Sequence, residues 1–282
     1  MRILIFGAAG YLGTHYSRYF AGSAGTAADI ADRESVEESL DRHSPEVVLN
    51  CAGKTGRPTV DWCESHRAET LRSNVLGPVV LAEACRARRI LLVHLSSGCL
   101  YEGANEGRGF SEADPPNFTG SFYVRSKTCA ELLLQDFPVL ILRPRMPFDD
   151  SLHPRGLIGK LVRYRRVLDT PNSLTYVPDL LAATRHLISV GQIGVFNVTN
   201  PGVTSPLDIM CRYRDVVDPK HVLEPLSAAE LDRQVVARRS NCQLCTRKLE
   251  ETGYRARPVT CAIDEALQQI RNQVSLTRFN TD

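Results

Sequence analysis

The sequence predicts an α/β fold, a doubly wound parallel sheet with helices on both faces and a smaller C-terminal lobe. Three observations carry this. Short apolar runs recur at Ile3–Phe6, Val47–Asn50, Ile90–Leu95, Val139–Leu142 and Val195–Val198. Helical patterns fall between them, at Tyr11–Phe20, Val36–Arg42, Asp61–Arg88, Tyr123–Gln135 and Pro178–Val190. The first apolar run passes directly into a glycine turn. Strands alternating with helices imply a parallel sheet covered on both faces. The right-handed crossover rule then leaves the doubly wound form.

Taken in order, Arg2–Phe6 is the first strand and Gly7, Gly10 and Gly13 follow with GxxGxxG spacing. Such a turn needs a positive φ, lets backbone approach a diphosphate closely, and aims a helix N-terminus at its charge. A strand before it and a helix after it are the context that makes the pattern a Rossmann-type dinucleotide fingerprint. The second strand is degenerate: Ala21–Ala28 is mostly Ala and Gly, so that strand is short or absent. An acidic residue that grips a ribose hydroxyl belongs about twenty residues after the turn. Asp29 and Asp32 lie near there, but Arg33 is adjacent, so NAD and NADP stay equally open. Asp29-Ile30 either sets a carboxylate near the adenine or caps the helix over Arg33–Leu40. After Arg143, prolines and turn residues cluster from Pro144 to Pro154, and the alternation is lost. Short helices remain at Pro206–Tyr213, Ala228–Val235 and Ala262–Gln273. Residues 1–145 are therefore expected to form the dinucleotide-binding domain, with a returning segment near 172–199. Residues 146–171 and 200–282 are expected to form the smaller substrate-binding lobe.

Composition excludes several classes. With 282 residues, 43% hydrophobic and 23% charged, the chain has ample material for a packed core. Thirty-four Lys and Arg against 32 Asp and Glu give +2, which argues against nucleic acid or an anionic membrane as partner. Apolar runs such as Ile90–Leu95 are too short to span a bilayer. The N-terminus lacks the long apolar stretch of a secretory signal, so a cytoplasmic location is expected. Nine scattered cysteines, an odd number, read as reduced thiols rather than a disulfide framework. Cys242-x-x-Cys245 lacks two further ligands at zinc spacing and is read as structural, with no metal expected. The assembly is left open, a homodimer among the options.

The chemistry-bearing pattern is Tyr123-Val124-Arg125-Ser126-Lys127, which sets Tyr and Lys on one face of a helix. A nearby ammonium favours phenolate and brings Tyr closer to use as a proton donor and acceptor near neutral pH. Upstream, the strand Ile90–Leu95 runs into Ser96-Ser97-Gly98-Cys99-Leu100-Tyr101. Strand C-termini are where open α/β sheets build their sites. The ordered set, GxxGxxG, then Ser97 four residues before Tyr101, then YxxxK, resembles the extended branch of the short-chain dehydrogenase/reductase superfamily. The resemblance implies Ser97, Tyr123 and Lys127 as catalytic residues and NADPH or NADH as cofactor. It places the cofactor on Gly7, Gly10, Tyr11, Leu12 and Gly13, on Asp29 and Ile30, on Ala52, Gly53 and Lys54, and on Asn74, Tyr123 and Lys127.

Longer stretches sharpen it. Asn50–His66, Pro116–Tyr123, Leu142–Pro147, Asp169–Thr175, Asn197–Val203 and Arg239–Leu244 resemble plant nucleotide-rhamnose synthase/epimerase-reductases. Bacterial dTDP-4-dehydrorhamnose reductases and GDP-fucose synthases are similar at greater distance. Only Thr14–Pro45 matches weakly. The resemblance implies 3,5-epimerisation of a UDP- or dTDP-4-keto-6-deoxyhexose followed by reduction of the 4-ketone, giving nucleotide-L-rhamnose. It names Cys99 as epimerase acid/base, where a thiol near Lys is biased toward thiolate, and Lys160 as its partner, with His153 as reserve. Expected substrate contacts are Arg57, Ser97, Gly98, Cys99, Asn117 and Arg145, and also Met146, Lys160, Asn172, Asn200 and Arg239. The alternatives are ordinary: packing for Cys99, an exposed helix position for Lys160, and surface ion pairs for the arginines. The rival readings are a 4-reductase alone, and a non-catalytic NADP-binding regulatory homologue.

Overall fold

The computed structural model describes residues 1–279. The chain opens with β1 (Ile3–Phe6), α1 (Tyr11–Tyr19), β2 (Ala24–Thr26), α2 (Arg33–His43) and β3 (Val47–Asn50). Next come α3 (Trp62–Ser65), α4 (Arg67–Leu71), a π-helical turn (Arg72–Leu76) and α5 (Gly77–Ala87). They lead to β4 (Leu91–Leu95), α6 (Phe122–Leu134), β5 (Val139–Arg143), β6 (Pro147–Phe148), α7 (Leu157–Leu161), β7 (Arg166–Leu168) and β8 (Asn172–Tyr176). The chain continues with α8 (Val177–Ser189), β9 (Gly194–Asn197), β10 (Asn200–Thr204), α9 (Pro206–Val216), β11 (Glu224–Leu226), α10 (Ala228–Asp232), α11 (Arg247–Glu251) and α12 (Val259–Phe279).

Six strands form one parallel sheet in the order β2-β1-β3-β4-β5-β9. The chain leaves β1 toward one edge and returns on its other side as β3. The turn after β1 therefore sits at the topological switch point, where such sheets open a crevice at their C-terminal ends. Side chains alternate between two cores, as period 2 demands. Ile3, Ile5, Val47, Leu49 and Val93 pack with α1 and α8 on one face. Leu4, Phe6, Val48 and Leu92 pack with α2 and α5 on the other. Burial on both faces is why these strands read as unbroken apolar runs.

β2 exists but spans three residues, and its small side chains have a cause. A Cβ on Gly25 would come 2.8 Å from the Ala8 Cβ of the glycine turn. The helix expected as one piece over Asp61–Arg88 breaks at His66 and carries the π-helical turn. Such turns often mark functional positions, and this one holds Asn74, fully buried.

The smaller lobe has its own core, centred on Phe148, Leu174, Tyr176, Met210 and Ile263. Its sheet is β10-β8-β6, beside a two-stranded β11-β7 ribbon. Two boundaries differ from expectation. The returning segment starts at α8, because Asn172–Tyr176 pairs inside the smaller sheet. Part of the stretch 200–282 crosses back: Cys242 and Leu244 pack with Cys99, Leu100, Tyr101 and Phe110, and Leu249 joins the large-lobe core. Among the described residues no helix is long and apolar enough to cross a membrane.

Candidate active site

The glycine turn leaves no room for side chains. Gly7 has φ +75°, and a Cβ there would stand 2.6 Å from Ala52 N; one on Gly13 would stand 2.1 Å from Gly7 O. α1 begins at Gly10 with no side-chain cap and no acidic residue in its first turn, so its N–H groups and dipole face outward unopposed. The loop after β3 lies against this turn. Its Lys54 N–H donates to Asn74 Oδ1 at 2.7 Å, and Asn74 Nδ2 donates to Lys54 O at 2.9 Å and to Ser126 Oγ at 3.1 Å. Asn74 thus braces the loop Ala52–Lys54 against α6. A Cβ on Gly53 would sit 3.7 Å from Lys127 Nζ. A backbone-lined cradle at a helix N-terminus, with an ammonium at its far end, fits a dinucleotide.

Asp29 does not cap α2, whose N-cap residue is Asp32. Its carboxylate accepts from Ala31 N at 2.9 Å and from Arg72 at 2.9 Å, and these bonds hold its pKa low. Ile30 is buried against Gly77. Tyr11 packs between His15 and His153, each 5.1 Å away by ring centroid. Leu12 packs on the large-lobe core.

Ser97, Cys99 and Tyr123 meet at the end of β4. Ser97 Oγ lies 2.9 Å from Cys99 Sγ, and Tyr123 packs against the cluster that holds Cys99. Lys127, 4% exposed, donates to Leu95 O at 2.9 Å. The electrostatics differ from the sequence expectation. Burial pushes the Tyr123 phenol up, with the Ser97 hydroxyl opposing. Burial also pushes the Cys99 thiol up, against the Arg145 charge and the Ser97 bond. Lys127 itself is lowered to about 8 by burial. Desolvation outweighs the ammonium here, so Cys99 is a neutral thiol near pH 7 rather than a thiolate.

The other expected contacts divide. Gly98 sits against Arg145 and Leu244, where a Cβ would meet Leu244 Cδ1 at 2.6 Å. Arg145 is buried; one Nη donates to Asn172 Oδ1 at 2.7 Å and to Ser240 O, while its Nε has no partner. Met146 follows with φ +42° and packs on the smaller core. Lys160 lies on α7 with much of its side chain exposed; partial desolvation of its ammonium and the Arg155 charge lower its pKa, and the ammonium makes no ion pair among the described residues. Arg57 is exposed in the loop before α3.

Four expected contacts are committed elsewhere. Arg239 forms a two-pronged pair with Asp61 at 2.9 and 3.0 Å. Asn200 accepts from Tyr176 N and donates to Asp179 and Arg257 O. Asn172 serves Arg145, Cys242 N, Thr170 O and Asn241. Asn117 clamps the Glu102 backbone. In this structure these side chains bond the protein, which gives each of them a structural role. His153, the reserve, stacks on Tyr11 and accepts from Arg155 N. Sequence reasoning passed over Ser96, Glu131 and Arg143, a buried network directly behind the site; the signal available was Glu131, one helical turn beyond Lys127.

The chain matches the protein family described as RmlD substrate binding domain over residues 1–272. It is 41% identical over 228 residues to a bifunctional dTDP-4-dehydrorhamnose 3,5-epimerase/dTDP-4-dehydrorhamnose reductase of Arabidopsis thaliana, covering 78% of this chain and 76% of that one. A trifunctional UDP-glucose 4,6-dehydratase/UDP-4-keto-6-deoxy-D-glucose 3,5-epimerase/UDP-4-keto-L-rhamnose-reductase of the same plant is 37% identical over 89% of this chain, which spans only 39% of that larger protein. Among solved structures, the UDP-rhamnose synthase of Acanthamoeba polyphaga mimivirus superposes with a TM-score of 0.91 at 31% identity, covering 96% of this chain and 99% of that one. With its parallel sheet, its glycine cradle and its Ser-Tyr-Lys arrangement, the chain belongs to the RmlD substrate binding domain family.

Proposed function

We propose that the chain is a bifunctional 3,5-epimerase/4-reductase that converts a UDP- or dTDP-linked 4-keto-6-deoxyglucose to nucleotide-L-rhamnose with NADPH or NADH. The observation that carries this reading is the Ser97–Cys99 contact of 2.9 Å beside Tyr123. A ketone reductase needs a group that polarises the carbonyl and a proton donor. A thiol fixed next to both adds an acid for carbon. The naming of the Arabidopsis relative for both activities supports the pairing.

Ser97 and Tyr123 would hydrogen-bond the C4 oxygen. Protons at C3 and C5 become acidic because the enolate charge falls on that oxygen. Cys99, kept neutral by burial, is suited to give a proton to the enolate carbon. Lys160, with a lowered pKa, presents a larger neutral fraction and is suited to remove one. In the reductive half, Tyr123 protonates the C4 oxygen. Gly7, Gly10, Gly13, Gly53 and Lys127 would hold the dinucleotide, which when bound supplies the hydride. The unpartnered Arg145 Nε remains available to a substrate acceptor.

Incubation of the 4-keto sugar in D₂O without NAD(P)H tests the epimerase half. Deuterium should enter at C3 and C5, and Cys99→Ser should slow that entry by about 100-fold while reduction of an already epimerised ketone persists. No entry with the unaltered chain leaves a 4-reductase alone.

A further inference from the structure

The buried ion pair behind α6 has no role in the steps above. Tyr123, Lys127 and Glu131 fall at successive turns of α6 and share one face. Glu131 and Arg143 side chains are each 4% exposed. Arg143 donates to both Glu131 oxygens at 2.6–3.1 Å and to the Tyr101 hydroxyl at 2.9 Å. The Ser96 hydroxyl donates to Glu131 Oε1. Its neighbour, Leu95 O, accepts from Lys127 Nζ. Two consecutive residues at the end of β4 are thus tied to two consecutive turns of α6, and the next residues are Ser97 to Cys99.

Burying a carboxylate and a guanidinium costs several kcal/mol per ion, and apolar side chains of similar volume often stabilise as well. The pair therefore calls for a reason beyond packing. Around Lys127 the titratable groups are Glu131 and Tyr123 on its own helix, Tyr123 kept a neutral phenol by burial, and Cys99 and His94 from β4 and its end. Burial keeps Cys99 a thiol and His94 neutral. Near neutral pH, Glu131 is the anion left to oppose desolvation of the ammonium.

We propose that Glu131 is a positioning residue: through Ser96 it sets the placement of the Ser97–Cys99 turn, and its carboxylate keeps the Lys127 ammonium charged. This rests on the reading that the turn and Lys127 handle a 4-keto sugar, and its test separates the two. The chain has five lysines, so side-chain NMR of labelled lysine resolves Lys127 without substrate. Lys127 should titrate near 8 in the unaltered protein and lower in Glu131→Gln. Ser96→Ala keeps the Glu131–Arg143 pair and should fold. It should lower kcat for C3/C5 exchange by about tenfold with KM little changed, as expected for losing a hydrogen bond to a charged group. Should Glu131→Gln fail to fold, Ser96→Ala decides alone. An unmoved Lys127 titration together with unchanged kcat in Ser96→Ala overturns the proposal. An unaltered chain inactive on 4-keto sugar, with Lys127 shifting as stated, overturns the substrate reading and leaves the Glu131–Lys127 link standing.

Discussion

The two sides of the crevice are built on different principles. On the large-lobe side, the glycine turn presents backbone N–H groups with no side-chain cap, and Ser97 and Cys99 meet beside Tyr123 at the end of β4. On the smaller-lobe side, the polar residues bind one another: Asn172, Asn200 and Arg239 each hold internal partners. A polar residue in a motif is therefore no guide to function until its hydrogen bonds are accounted for.

Three substitutions test that contrast. Tyr123→Phe removes a proton donor and little else, so reduction of the 4-ketone should fall by about 1000-fold with unfolding unchanged; nicotinamide oxidation at the original rate would sink the catalytic assignment. Asn200→Ala should act in the opposite way. It strips partners from Tyr176 N, Asp179 and Arg257 O, so stability should drop by about 2 kcal/mol with KM retained. A raised KM at unchanged Tm would return Asn200 to the substrate site. The smallest effect concerns Asp61, which the Arg239 hydrogen bonds lower from 3.8 to about 2. A depressed carboxylate contributes stability above its ordinary pKa, and that contribution is lost as pH falls toward 2. Both side chains are more than a fifth exposed, so solvent screening limits the contribution to about 1 kcal/mol. Asp61→Asn should flatten the acid limb of a stability profile between pH 4 and 2; an unchanged limb would free Arg239 for a ligand.

Legibility in the sequence followed the range of the interactions. The five apolar strands and the glycine turn were readable because period and spacing are local. β2 was nearly invisible because Gly25 must fit against Ala8, a contact set by the turn rather than by strand propensity. The π-helical turn left no compositional mark, though it aims Asn74 at the Lys54 backbone. Spacing sets Tyr123 and Lys127 on one helix face, whereas their grouping with Ser97 as a catalytic set comes from the family resemblance; Lys127 bonds the carbonyl of Leu95, two residues before Ser97. The protonation of Cys99 was misjudged, since burial is a property of the folded surroundings and not of the neighbouring residue types. The partners of Asn200 lie 21 to 57 positions away in the chain, beyond the reach of a local pattern.

The segment that crosses back from the smaller lobe bears on the order in which the molecule can be made. Cys242 Sγ donates to Gly98 O at 3.2 Å, Leu244 packs over Gly98, and the backbone of Asn241 and Gln243 bonds Gly103 and Phe110. Domains tend to fold from the N-terminus as they are synthesised. A nascent chain could close the glycine cradle only once α6, with Ser126 and Lys127, is made, yet the turn bearing Ser97 and Cys99 would wait for residues near 245 to arrive. Dinucleotide binding would then precede catalytic competence during synthesis, and an interrupted chain would be a binder without being a catalyst.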